Sequence, residues 1–157
     1  MFLIALTGGE ITDREQIADR LVGAGKARLA GYALNPPMRR GVKPLARKLP
    51  PMNGVARAAT LAQVIDGLEC KPAAAGGLVI VHCLTLEESA LIRENGGEVW
   101  HVYGAAPSAL VPIRRADRMV TPRGASFGHV LEPLEALSEY LLAMGQAARS
   151  SRVRASA

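Results

Sequence analysis

The feature that most constrains this chain is its opening, FLIALTGGEITDREQIADRL. An unbroken apolar run, Phe2 to Leu6, stops at Gly8 and Gly9 and hands over to a stretch with helical period. Apolar residues without alternation suit a strand buried on both faces of a parallel sheet. The following stretch reads as a helix: Thr12 and Glu15 make a T-x-x-E capping pattern, Ile17, Ala18, Leu21 and Val22 supply the apolar face, and Gly23 and Gly25 end it. The same succession of types returns downstream. GLVIVHCL is a second strand signal, Thr85 and Glu88 repeat the capping pattern for a helix through Ile92, and Asn95-Gly96-Gly97 stop it. EVWHVYG reads as a strand, Arg118 to Val120 as a short last strand, and Leu131 to Met144 as an amphipathic helix with Pro133 in its first turn. Alternating strands and helices predict an α/β fold, a three-layer sandwich around a mostly parallel sheet. Its ligand crevice is expected beyond the carboxyl ends of the strands. Gly8–Thr12, His82–Thr85 and Tyr103–Ser108 should open onto that edge.

Length and composition bound the rest. At 157 residues and 49% hydrophobic, one core is expected, carried by residues 1–148. A Pro/Arg-rich excursion interrupts it at about 35–55, and 149–157 reads as a basic tail expected to fray. The apolar start lacks a basic flank and no run is long enough to span a bilayer, so a cytoplasmic protein without membrane contact is expected. Cys70 and Cys83 form no C-x-x-C pair and are expected to be reduced. The spacing of His82, Cys83, His101 and His129 matches no zinc signature, so no metal site is expected.

The formal charge of +5 is concentrated in Arg39, Arg40, Lys43, Arg47, Lys48 and Arg57, with Arg149, Arg152 and Arg154 in the tail. A solvated surface explains this more simply than a nucleic-acid patch, because no aromatic residues are interleaved for base stacking. A nucleic-acid-binding scaffold is the third reading.

Three segments carry a family resemblance. LIALTGGEITDREQIADRL, LVIVHCLTLEESALIRENGGEVWHVYG and ADRMVTPRGASFGHVLEPLEALSEYL resemble the P-loop deoxynucleoside monophosphate kinases of bacteriophages, over about half of the chain. The resemblance implies a P-loop nucleotide-kinase-like fold. Gly8 falls on the first loop glycine and Thr12 on the serine, while Asp13 replaces the second glycine, Arg14 the lysine and Gln16 the hydroxyl residue that would hold magnesium. His82 and Leu84 replace an aspartate and an arginine, whereas Glu88, Ile92, Arg93, Gly96 and Gly97 match.

Physically, those replacements remove the chemistry and keep the outline. A phosphate loop works because glycines let backbone N–H groups approach the anion at a helix N-terminus. Asp13 would bring a carboxylate there and take the anion's seat, and Arg14 keeps a charge with another shape. A pseudoenzyme with a degenerate Walker A motif is therefore expected, acting by weak nucleotide or phosphate binding or through a protein partner. No residue is a catalytic candidate on this reading. The alternative is an active deoxynucleoside monophosphate kinase, using ATP and Mg2+ with Arg14 as the catalytic cation. Candidate contacts to phosphate or nucleotide are Gly8, Gly9, Thr12, Arg14, His82, Glu88, Arg114 and Arg115, with Arg39, Arg40 and Arg123 as further arginines. Glu88 reads first as a helix cap and second as the remnant of a substrate-facing carboxylate.

Overall fold

The computed structural model describes residues 1–34, 53–71, 73–104, 107–124 and 127–155. In chain order it contains β1 (Phe2–Thr7), α1 (Ile11–Gly23), β2 (Leu29–Tyr32), α2 (Gly54–Glu69), β3 (Gly77–Ile80), α3 (Leu86–Glu94), β4 (Glu98–Val102), β5 (Arg118–Val120), β6 (Val130–Leu131) and α4 (Pro133–Ala155). The strands form one six-stranded sheet in the order β2-β3-β1-β4-β5-β6, every neighbouring pair parallel.

Period-two alternation sorts the apolar residues of β1 onto two faces. Ile4 and Leu6 pack with Ile17 and Leu21 of α1 and Leu137 and Tyr140 of α4. Leu3 and Ala5 pack with Leu61 and Ile65 of α2 and Ile92 of α3. Both faces are thus covered by helices, which makes the α/β three-layer sandwich and explains why β1 carries no polar side chain before Thr7. α1 leaves β1 over one face and α3 follows β3 over the other, so the carboxyl ends of these neighbouring strands are the switch point of the topology.

The first helix departs from expectation. It starts at Ile11 with Glu10 as N-cap and no side-chain cap hydrogen bond, so Thr12 lies inside the helix and the Thr12–Glu15 box does not form. Successive positive φ angles at Gly8 (69°) and Gly9 (60°) turn the chain early, and the first turn closes through Arg14 N–H on the Glu10 carbonyl at 3.2 Å. The second box does form: Thr85 Oγ1 accepts from Glu88 N–H while the Glu88 carboxylate accepts from Thr85 N–H.

Two strands, β2 and β6, were not anticipated, being four residues (LAGY) and two residues long. The expected strand through Leu84 stops at Ile80, and α4 continues through the basic stretch expected to fray, as far as Ala155. Most of the Pro/Arg-rich excursion, with Arg39 and Arg40, lies outside the described residues, whereas Arg57 belongs to α2.

The glycine turn is sterically demanding. A Cβ on Gly9 would stand 2.6 Å from Val102 Cγ1 while the residue holds a left-handed φ. Gly9→Ala is expected to cost about 2 kcal/mol, combining left-handed strain with overpacking against a buried valine. Urea unfolding of the two proteins measures the difference.

Candidate functional site

Two consecutive left-handed residues turn the Gly8 and Gly9 carbonyls inward, and the side chain that meets them is Arg14. Its Nη1 donates to both carbonyls, at 2.9 Å for Gly9, and its Nε donates to His82 Nδ1 at 3.1 Å. Arg14 projects from the first turn of α1 and is only 6% exposed. Among the described residues no carboxylate comes within ion-pair distance of it. Burial pulls its pKa below the ordinary value, with Glu15 and Asp13 opposing. The expected occupant of the loop is therefore corrected: the guanidinium of Arg14 fills it, and no described group donates a hydrogen bond to Asp13. Asp13, about 100° around the helix from Arg14, instead lines a neighbouring cavity.

His82 completes this arrangement from the end of β3. Because Nδ1 accepts from a guanidinium, the proton sits on Nε2, which lies 4.0 Å from Glu15 Oε1. Burial and then the charge of Arg14 lower its pKa. Next to it, Arg57 of α2 donates to the His82 carbonyl at 3.1 Å and pairs with Glu88 Oε1 at 2.9 Å, an ion contact rather than a well-aligned hydrogen bond. Glu88 is fully buried, and its Oε2 accepts from Leu84 N–H, Thr85 N–H and Thr85 Oγ1 at 3.0–3.1 Å. Both readings of Glu88 had assumed one role. It caps α3 and also anchors Arg57, so it faces the protein rather than a ligand. Cys83, buried beside it, has its thiol pushed up to about 12 and stays protonated.

A second polar group stands beyond β1. His101 Nε2 meets Asp117 Oδ2 at 3.0 Å, and that oxygen also accepts from Arg93 Nη2 and from Arg114 N–H, both at 2.8 Å. Burial lowers the His101 pKa, against the pull of Asp117. Two cavities open on the carboxyl edge. One of about 310 Å³ runs from Glu10 and Asp13 to Tyr103, Phe127 and the Thr121–Gly124 turn. The other, about 360 Å³, lies along Gly8, His101, Tyr103 and Met119.

Gly8, Gly9, Arg14 and His82 are thus brought together, with Glu88 joined through Arg57. Thr12 is exposed on α1, and Arg114 and Arg115 are exposed in the turn after β4, where Arg114 contributes its backbone. Sequence reasoning missed Arg57 and Asp117: Arg57 meets the His82 carbonyl 25 residues on and pairs with Glu88, and Asp117 meets the side chains of Arg93 and His101, 24 and 16 residues back. It weighed His101 solely as a metal ligand. Among the described residues no three His, Cys, Asp or Glu side chains converge as metal ligands. Gln16, where the family's metal-binding hydroxyl would stand, is exposed on α1, and the guanidinium in the loop would repel a dication, so these residues do not fit magnesium.

Both histidines have lowered pKa values and are neutral when folded. The unfolded chain then binds more protons below its own histidine pKa of about 6.5. Stability conferred by keeping them neutral is complete above that value and declines as pH falls through it towards the folded pKa values. Urea midpoints are expected to drop between pH 8 and pH 5.5, and the drop should shrink in His82→Gln.

Comparison with protein-family models, with curated proteins and with solved structures finds no match for the chain.

Proposed function

We propose that this protein is a non-catalytic, P-loop nucleotide-kinase-like protein that binds phosphate or nucleotide weakly at the carboxyl edge of its sheet. The observation carrying this reading is the insertion of Arg14 into its own glycine turn. Phosphoryl transfer needs a cation free to follow the moving group, a metal bridging phosphates, and backbone N–H donors facing the anion. Here Arg14 Nε and Nη1 are spent on His82 and on the Gly8 and Gly9 carbonyls. Binding chemistry survives that loss. Among the described residues Arg14 Nη2 has no acceptor and the cation no carboxylate partner, and the N–H groups at the start of α1 favour an anion. Glu10 and Asp13 at the same helix end oppose it, which makes the affinity low. Tyr103 and Phe127, with centroids 5.8 Å apart on the 310 Å³ cavity, offer a face for a nucleobase.

Calorimetric titration with ATP, with each deoxynucleoside monophosphate and with inorganic phosphate tests the reading. Saturable binding in the high-micromolar to millimolar range supports it, and absence of heat with all of them removes it. A second reading, a protein partner, draws on the exposed apolar side chains that share this edge: Ile11 and, on the loops after β4 and β5, Leu110, Ile113 and Phe127.

A further inference from the structure

We infer that His101, oriented by Asp117 and backed by Thr7, makes the 360 Å³ cavity a second binding site, for an uncharged molecule of single-ring size that carries an O–H or N–H donor. Strand register places Thr7 beside His101 across β1 and β4, and His101 beside Met119 across β4 and β5. These residues form one row on the α3 side of the sheet, at its carboxyl end, behind Gly8. The imidazole is fixed by three contacts that converge on one carboxylate oxygen: Asp117 Oδ2 holds Nε2–H and is itself held by Arg93 and by the Arg114 backbone. That tautomer leaves Nδ1 as a hydrogen-bond acceptor, and among the described residues it has no partner although the ring is 2% exposed. Thr7 Oγ1, wholly buried on the next strand, has none either.

Buried polar atoms are nearly always satisfied, and an orphaned one is destabilising. An orphaned Nδ1 on a ring that is oriented by a carboxylate and lines a cavity is costly as mere structure and useful as a pre-set acceptor for a donor placed there. The walls give the rest of the specificity. Pro107, Ile113, Met119 and Tyr103 are apolar or aromatic, and among the described residues no carboxylate, lysine or arginine lines the cavity. A charged ligand would be desolvated without compensation there, whereas a ring with one donor would not. Burial, together with the nearby Arg93 charge, keeps the imidazole neutral despite Asp117. This site shares Gly8 with the glycine turn but does not depend on nucleotide binding.

Phenol and anisole discriminate, since they share a ring and differ in the donor. In full-length protein labelled with 15N-histidine, the His101 ring nitrogens are followed by long-range proton–nitrogen correlation during titration with each. A saturable shift of Nδ1 with millimolar phenol is expected, with anisole at least about tenfold weaker, the loss of one hydrogen bond. An unmoved Nδ1 with phenol, or an equal response to both probes, would overturn the inference.

Discussion

Replacing Glu88 by alanine is expected to destabilise the protein by about 3–5 kcal/mol, the range for breaking a buried ion pair by removing one partner. The carboxylate is fully buried and performs two tasks at once. Oε2 accepts from Leu84 N–H, Thr85 N–H and Thr85 Oγ1, closing the start of α3, while Oε1 pairs with Arg57 of α2. Alanine strips the cap, leaves two backbone donors without their acceptor and withdraws the carboxylate from a guanidinium that is 12% exposed. It also loosens the contact by which Arg57 holds the His82 carbonyl. Glu88→Gln keeps an acceptor for the two N–H groups and loses the charge, so it should fall between wild type and Glu88→Ala. Urea unfolding of the three proteins gives the order directly; equal stability of Glu88→Ala and wild type would contradict this account of the β3–α3 connection.

Arg14→Met is expected to cost about 2–3 kcal/mol, and its direction is less obvious. Methionine relieves a buried cation whose pKa is pulled down by burial, which favours the variant. Against that, the Gly8 and Gly9 carbonyls and His82 Nδ1 all lose their donor, at roughly 1 kcal/mol each. Three lost acceptor contacts outweigh the relief because the apolar stem of Arg14 is largely reproduced by methionine. The ring of His82 supplies an independent readout. Since the charge of Arg14 is the second cause holding its pKa down, after burial, the variant's His82 should titrate at higher pH than the wild type's. An unchanged His82 titration would mean that the guanidinium does not sit against that ring.

Much of the fold was legible because its signals are local. An unbroken apolar strand ending in glycines, a T-x-x-E box at Thr85 and the Asn95-Gly96-Gly97 stop are each written within a few residues, and β1, α3 and β4 lie where they predict. The other T-x-x-E pattern, at Thr12, was misleading because two left-handed glycines start α1 earlier than the pattern implies. β2 and β6 were illegible, since LAGY and VL are too short for alternation and owe their assignment to pairing with β3 and β5. For the candidate site, the sequence indicates where a loop should lie but not which side chain enters it. Asp13 and Arg14 are adjacent, and their exchange of roles follows from helical geometry: Arg14 points back under the turn beside His82, whereas Asp13 points out to a cavity. The dependence on Arg57 and Asp117 was hidden for a different reason, because their partners come from other elements.

The claim on which the functional account depends is that Arg14 locks the glycine turn and leaves a binder without phosphoryl transfer. It is tested most directly by following ADP release from ATP and Mg2+ with each deoxynucleoside monophosphate, for wild type and Arg14→Met. Rates equal to the protein-free background for both proteins are predicted. Wild-type turnover above background that vanishes in Arg14→Met would show Arg14 serving as a catalytic cation and would contradict the account.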